Sequence, residues 1–245
     1  MSGTPSSPEL VILPGLDGTA RMLDAFCARL AELGCDARAI GYPPDQPLDY
    51  EALEPLVLAQ LPSNRPFVLM AESFSGPLAL KIASRAPGGL TGLVLSTSFA
   101  SSPLPWMRPL LGLAGLAPAR LPMVALAPLL LGRWATPELK AQLAEALRTV
   151  STRVLRARAV AALEVDASAC LREVQVPTLC LQAKQDRLLR SSATRELKQG
   201  LADCQVVAVE GPHLLLQTAP RTCAQTVAEF IAGLRNDLAT LTPPP

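Results

Sequence analysis

Pro66-Phe67-Val68-Leu69-Met70-Ala71-Glu72-Ser73-Phe74-Ser75-Gly76-Pro77-Leu78-Ala79-Leu80-Lys81-Ile82-Ala83 joins a continuous apolar run to a segment with helical apolar spacing, and the joint falls on a serine. The run 66–71 reads as a strand buried on both faces, and 75–85 as a helix. So sharp a strand-to-helix turn holds its serine in a strained backbone conformation and crowds the positions two before and two after it. Those positions must be small, and here they are Ala71 and Ser75, with Gly76 as a further small residue. Ser73 is therefore a candidate nucleophile. The competing reading is a helix N-cap serine, so the decision rests on what the rest of the chain supplies.

A serine hydroxyl attacks only when a base takes its proton, and the usual base is a histidine oriented by a carboxylate. The chain has a single histidine, His213, which follows the strand-like Gln205-Val206-Val207-Ala208-Val209 and the turn Glu210-Gly211-Pro212. That places it on a loop at a strand's end. The acid that best fits is Asp186, which closes the apolar strand Pro177-Thr178-Leu179-Cys180-Leu181-Gln182-Ala183 after a short loop. Its structural alternative is a cap for a helix beginning near Ser191. Asp166 and Asp203 are rivals that follow no buried-strand pattern so directly. Near the N-terminus, Leu10-Val11-Ile12-Leu13 reads as a buried strand that breaks at Pro14-Gly15-Leu16-Asp17-Gly18-Thr19. This glycine-rich turn matches neither the G-x-x-x-x-G-K-[ST] nor the G-x-G-x-x-G phosphate loop.

Together, Pro14 to Thr19, Ala71 to Gly76, Asp186 and Gly211-Pro212-His213 resemble the α/β-hydrolase superfamily across nearly the whole chain. The resemblance is strongest to small bacterial carboxylesterases and thioesterases with a helical cap, a group that includes the pimeloyl-carrier-protein methyl esterases. It implies the chain order Ser, acid, His, which Ser73, Asp186 and His213 keep. It also implies backbone donors for an oxyanion at Phe74 and Leu16, a two-step acyl transfer from an ester or thioester, and no cofactor. Two positions depart from the pattern. Pro14 stands where many members have the histidine of a His-Gly pair, and Ala71 and Ser75 replace the elbow glycines.

Strands are expected near 10–13, 37–41, 66–71, 92–96, 177–183 and 205–209, and helices over 20–33, 50–61, 75–85, 190–200 and 218–234. This alternation predicts an α/β fold with a mainly parallel sheet of about six strands wrapped by helices. With nine residues before the first strand, no preceding antiparallel hairpin is expected. The segments 1–97 and 170–245 form the expected core, and 98–169 a helical cap insertion. The tail Leu241-Thr242-Pro243-Pro244-Pro245 is expected to be disordered.

The 245 residues, 49% of them hydrophobic, are enough to bury one sizeable core. A net charge of +1 gives no electrostatic footprint for nucleic acid. Cys27, Cys35, Cys170, Cys180, Cys204 and Cys223 form no C-x-x-C pair and no Cys/His cluster, which argues against a metal site. The polar N-terminus carries no basic-then-apolar leader, and a cytoplasmic protein with reduced thiols is expected.

The insertion is where specificity is expected. Its first half, Pro103 to Trp134, is rich in Leu, Ala, Pro and Met. Leu110 to Leu131 is long enough to span a membrane, but Arg120 and the internal prolines oppose a spanning helix. An apolar cap over Ser73 predicts an apolar acyl or alcohol chain as substrate. Gly15, Asp17, Trp106, Met107, Met123 and Leu214 are the candidate substrate-contacting residues, and Phe74, Leu16 and Leu214 are expected to form the pocket floor. Peripheral lipid contact through the cap is an alternative use of the same surface. The resemblance further implies that Arg108, Arg120 and Arg133 could receive an acidic acyl carrier protein. Over Pro137 to Ala162, charged residues interleave with Leu and Ala, which predicts an amphipathic helix whose Arg153, Arg156 and Arg158 lie on a wet face.

Overall fold

Apolar runs with no polar alternation can be satisfied only when both faces of a strand are covered, and in a parallel sheet helices cover them. The computed structural model describes residues 7–109 and 123–241, the side chains of 236–241 excepted. Its sheet has six strands, β1 (Glu9–Leu13), β2 (Ala37–Ala39), β3 (Phe67–Glu72), β4 (Leu90–Ser96), β5 (Thr178–Ala183) and β6 (Cys204–Val209). They lie in the order β2-β1-β3-β4-β5-β6, and every pairing is parallel. Every residue of β1 and β3 is buried. The cysteines are all unpaired thiols.

Alternation along β1 sorts the helices. Val11 and Leu13 share a buried cluster with Tyr50, Leu53 and Val57 of α2 (Tyr50–Leu58) and Leu78 and Ile82 of α3 (Gly76–Ser84). Leu10 and Ile12 pack on the other face with Phe26 and Leu30 of α1 (Asp24–Glu32) and Val227 and Ile231 of α9 (Pro220–Leu241). The expected helix 20–33 begins instead as a 3-10 turn, because Ala20 takes a left-handed backbone (φ 61°). The helix expected over 218–234 runs on to Leu241. It follows a separate one-turn helix, α8 (Leu215–Thr218), and starts at Pro220, where the missing N–H costs nothing.

The insertion contains α4 (Met123–Leu130), α5 (Pro137–Thr149) and α6 (Thr152–Glu164), and α7 (Ser191–Gly200) links β5 to β6. The single helix expected over 137–162 is two, because Val150 is extended and buried and Ser151 caps α6 by accepting from Val154 N. Both ends of the insertion are pinned together: Ser101 bridges to Asp166, Ser102 N donates to Val165 O, and Ala167 N to Ala100 O. Met22 of the core and Ala127, Leu131, Leu143 and Ala146 of the insertion form a third apolar cluster. Arg120 and most of the run Leu110 to Leu131 lie outside the described residues, as do the prolines of the C-terminal tail. Among the described residues no helix is long and apolar enough to cross a membrane.

The topology fixes where chemistry can sit. From β1 the chain goes outward to β2 and then returns to β3 on β1's other side, so the order reverses between β1 and β3. Leu13 lies beside Ala71 in the register, so the loop after β1 and the turn after β3 emerge side by side at the carboxyl ends of the strands, the crevice that doubly wound sheets use for ligands. Phe26, fully buried between β1 and α9, tests this framework. Phe26→Ala should lower the unfolding free energy by about 3–5 kcal/mol in urea titrations, and a loss below about 1 kcal/mol would place the side chain outside the core.

Candidate active site

Ser73 follows β3 with φ 48°, a left-handed backbone at a non-glycine residue. Neighbouring groups hold it there. Ser98 Oγ donates to Ser73 O at 2.7 Å, and Tyr50 Oη donates to Phe74 O at 2.8 Å while its ring stacks on Phe74 at 4.7 Å. Gly76 gives the turn room, since a Cβ there would overlap the Ser98 side chain, whose own Cβ would be 2.8 Å away. Ser75, where a glycine is usual, has a task of its own: its hydroxyl donates to Pro14 O and lies 2.6 Å from Tyr42 Oη. Burial raises the Tyr42 phenol well above its ordinary value, so it stays protonated and is the donor in that pair.

Ser73 Oγ is 2.8 Å from His213 Nε2, and His213 Nδ1 is 2.8 Å from Asp186 Oδ2. The histidine is buried and the aspartate partly so. The carboxylate is an acceptor, so Nδ1 carries the proton and Nε2 is left to accept from the serine. The second oxygen of Asp186 accepts from Leu188 N and Leu189 N, each at 2.8 Å, which fixes the carboxylate's plane. The loops of acid and base are tied together: Gln185 N donates to Gly211 O, and Gly211 N to Gln185 Oε1. The rival acids are elsewhere, Asp166 accepting from Ser168 and Asp203 in the turn that enters β6.

The loop after β1 closes on itself through Gly18 N to Gly15 O at 3.0 Å. The Asp17 carboxylate is taken up locally by Thr19 N at 3.0 Å and by the Thr19 hydroxyl. Leu214 follows His213 and packs with Met22, Met123 and Leu131, so the base loop adjoins the insertion's apolar cluster. Met107 is half-buried, and Trp106 is 67% exposed. The Phe74 side chain does not line a pocket floor; it is buried in the core between Tyr42 and Tyr50, which leaves its backbone N–H as the group of interest. Arg108 caps α6 by donating to the carbonyls of Leu163, Glu164 and Val165, and Arg133 lies 4.3 Å above the Trp134 ring.

The sequence profile of the serine aminopeptidase S33 group of hydrolases matches residues 49–216. The chain belongs to this α/β-hydrolase family. No protein of curated function matches it by sequence. Among solved structures it is similar to the enol-lactonase from Burkholderia xenovorans LB400, at 18% identity over 93% of this chain and 92% of that one with a TM-score of 0.78. It is also similar to a thermophilic esterase from Thermogutta terrifontis, at 18% identity over 95% and 92% with a TM-score of 0.77. A third is the monoacylglycerol lipase of Paleococcus ferrophilus, at 15% identity over 95% and 96% with a TM-score of 0.74. These likenesses establish the fold of the hydrolase.

Two buried polar residues of the site escaped the sequence reading. Arg158, assigned above to a wet face, is fully buried against the loop after β1, drawn inward by the carbonyls of Leu16, Asp17 and Pro43. Glu72, next to the nucleophile, is 3% exposed, accepts from Gln217 Nε2 at 3.0 Å and lies beside Gly15. Desolvation dominates its titration and pushes the carboxyl up to about 7, with Asp17 adding to the rise and Gln217, His213 and Gly15 opposing it. Glu72 had no signal beyond its charge in an apolar neighbourhood, whereas Arg158 shares one helix face with the apolar Val154 and Ala161.

The Glu72 shift has a definite sign. The folded state binds this proton up to about pH 7 whereas the unfolded chain releases it near 4.5, so stability falls as pH rises through that window. The span corresponds to about 3 kcal/mol. Glu72→Gln should flatten the pH 5–8 slope of urea unfolding, and a slope equal to wild type would assign it to other groups. Gly76→Ala should lower stability by about 1–3 kcal/mol through overpacking against Ser98; an unchanged unfolding midpoint would mean that Ser98 yields freely.

Proposed function

We propose that this hydrolase cleaves a carboxylic ester or thioester with an apolar acyl chain by a two-step acyl transfer. The observation that carries the reading is the chain of contacts Ser73 Oγ, His213 Nε2, His213 Nδ1 and Asp186 Oδ2, each 2.8 Å from its partner, on a strained turn at the sheet's switch point. In the first step Ser73 Oγ attacks the carbonyl carbon while its proton passes to His213 Nε2. The negative oxygen of the tetrahedral intermediate is received by the N–H groups of Leu16 and Phe74. His213 then returns the proton to the leaving alkoxide or thiolate, which departs and leaves the acyl group on Ser73. Water, deprotonated by His213, attacks that ester, and as the bond to Ser73 Oγ breaks His213 returns the proton to the serine oxygen and the acid is released. Asp186 keeps the Nδ1–H tautomer throughout and stabilises the imidazolium.

The apolar acyl preference is supported by the composition of the insertion and by Leu214, Met22, Met123 and Leu131, which adjoin the base loop. The test is turnover of p-nitrophenyl esters from two to sixteen acyl carbons beside an aminoacyl p-nitroanilide. Wild type is expected to prefer the esters with a distinct chain-length optimum. Ser73→Ala and His213→Ala should lower kcat roughly 10⁵–10⁶-fold, and Asp186→Asn about 10⁴-fold. Preference for the anilide would instead make the protein a peptidase, and an inactive wild type would favour a scaffold that binds a hydrophobic ligand without turning it over.

A further inference from the structure

Arg158 has the largest side chain that is fully buried among the described residues, and no carboxylate among them lies within ion-pair distance of it. A buried cation is costly unless polar groups replace its water. Here the replacements are backbone carbonyls. Nη1 donates to Leu16 O at 3.2 Å and Asp17 O at 2.6 Å, Nη2 donates to Pro43 O at 2.9 Å, and the guanidinium carbon lies 5.5 Å from the Tyr42 ring centroid. Nε is buried without a partner among the described residues, so these carbonyls supply the hydrogen bonds, while the nearby Asp17 charge adds attraction. The loop makes room for the guanidinium with a glycine. A Cβ on Gly18 would overlap Nη1 and stand 2.8 Å from Cζ, and Gly18 itself has φ 69°.

The planarity of the peptide group turns these contacts into a chain of orientations. In a trans peptide the C=O and the following N–H point in opposite directions. Fixing Asp17 C=O on Arg158 therefore aims Gly18 N–H the other way, where it donates to Gly15 O. Fixing Gly15 C=O in turn aims Leu16 N–H away from the turn. On the peptide before it, Pro14 C=O is held by Ser75, and the Glu72 carboxyl lies beside Gly15. The peptides at Pro14, Leu16 and Asp17 are thus held by side chains of the elbow and α6, and the Gly15–Leu16 peptide by the loop's own Gly18 N–H.

We propose that Arg158 is a positioning residue of the reaction: from the insertion's helix α6 it fixes the Asp17–Gly18 and Gly15–Leu16 peptides and so aims the Leu16 N–H at the oxyanion. This rests on the assignment of Leu16 as an oxyanion donor in the ester hydrolysis proposed above. It also makes the oxyanion site a joint product of core and insertion.

The test compares wild type, Arg158→Gln, Arg158→Lys and Gly18→Ala in p-nitrophenyl ester turnover, with thermal unfolding of each. It includes two inhibitors of equal chain length: an alkyl trifluoromethyl ketone, whose hemiketal oxygen occupies the oxyanion site, and an alkyl ether that cannot form one. Arg158→Gln is expected to lower kcat about 10²-fold with KM within about twofold, to weaken the trifluoromethyl ketone in proportion, and to leave the ether unchanged. Arg158→Lys should recover part of the loss. Gly18→Ala, which displaces the guanidinium but keeps it, should lose kcat in the same pattern, and the double variant should be no worse than the poorer single. Gly18→Ala and Arg158→Lys decide the matter if Arg158→Gln does not fold. Wild-type kcat in Arg158→Gln overturns the proposal, as does a parallel loss of ketone and ether affinity. A wild type that turns over no ester overturns the parent reading instead, and this one with it.

Discussion

A left-handed backbone at a serine persists only where its surroundings over-determine it, and the arrangement around Ser73 follows from that constraint. Its carbonyl accepts from Ser98, the next carbonyl accepts from Tyr50, and the following hydroxyl anchors Pro14. Each anchor comes from a different part of the fold: the end of β4, the start of α2 and the loop after β1. The strain at one residue is thus matched by hydrogen bonds and packing distributed over the carboxyl end of the sheet. Ser75 matters most here. A glycine would relieve crowding but could not carry the Tyr42–Ser75–Pro14 relay, so its departure from the common elbow pattern supplies a bond that the pattern lacks.

The sheet and the contact chain of Ser73, His213 and Asp186 were legible because their signals are local and strong. Apolar runs such as 66–71 and 177–183 without polar alternation have one stable placement, a doubly covered parallel strand. A lone histidine and an aspartate at the ends of two such runs must then emerge at the same edge as the serine. The boundaries of the insertion's helices were less legible. Periodicity over 137–162 continues through Val150 and Ser151, and only tertiary burial of Val150 separates α5 from α6. Arg158 differs, because a charge counts toward a wet face while its phase is that of the buried Val154 and Ala161, four residues before and three after it, across the helix from Arg156. The spacing marks the inward face, but the backbone carbonyls that let a guanidinium occupy it have no counterpart in a side-chain pattern.

Glu72 and Arg158 illustrate two ways of burying a charge beside one loop. Glu72 yields its charge over much of the neutral range, because desolvation outweighs the Gln217 donor. A guanidinium has no such option, since its deprotonation lies far outside any working pH. Arg158 must keep its charge and find oxygen atoms, and the loop after β1 provides two carbonyls and Pro43, beyond β2, a third, which its planar fork reaches together. The acid can therefore relax by titration, whereas the arginine can relax only by movement of the backbone it holds.

That difference bears on how the insertion and the core depend on each other. Beyond Arg158, Leu214 N donates to Leu130 O of α4, and Arg187, next to the acid, donates to Pro128 O. The insertion thus touches the base loop, the acid loop and the loop after β1 by separate bonds. Movement of α4 or α6 away from the core would release backbone groups next to each of these loops, so the seating of the insertion and the order of the three loops are coupled through these bonds.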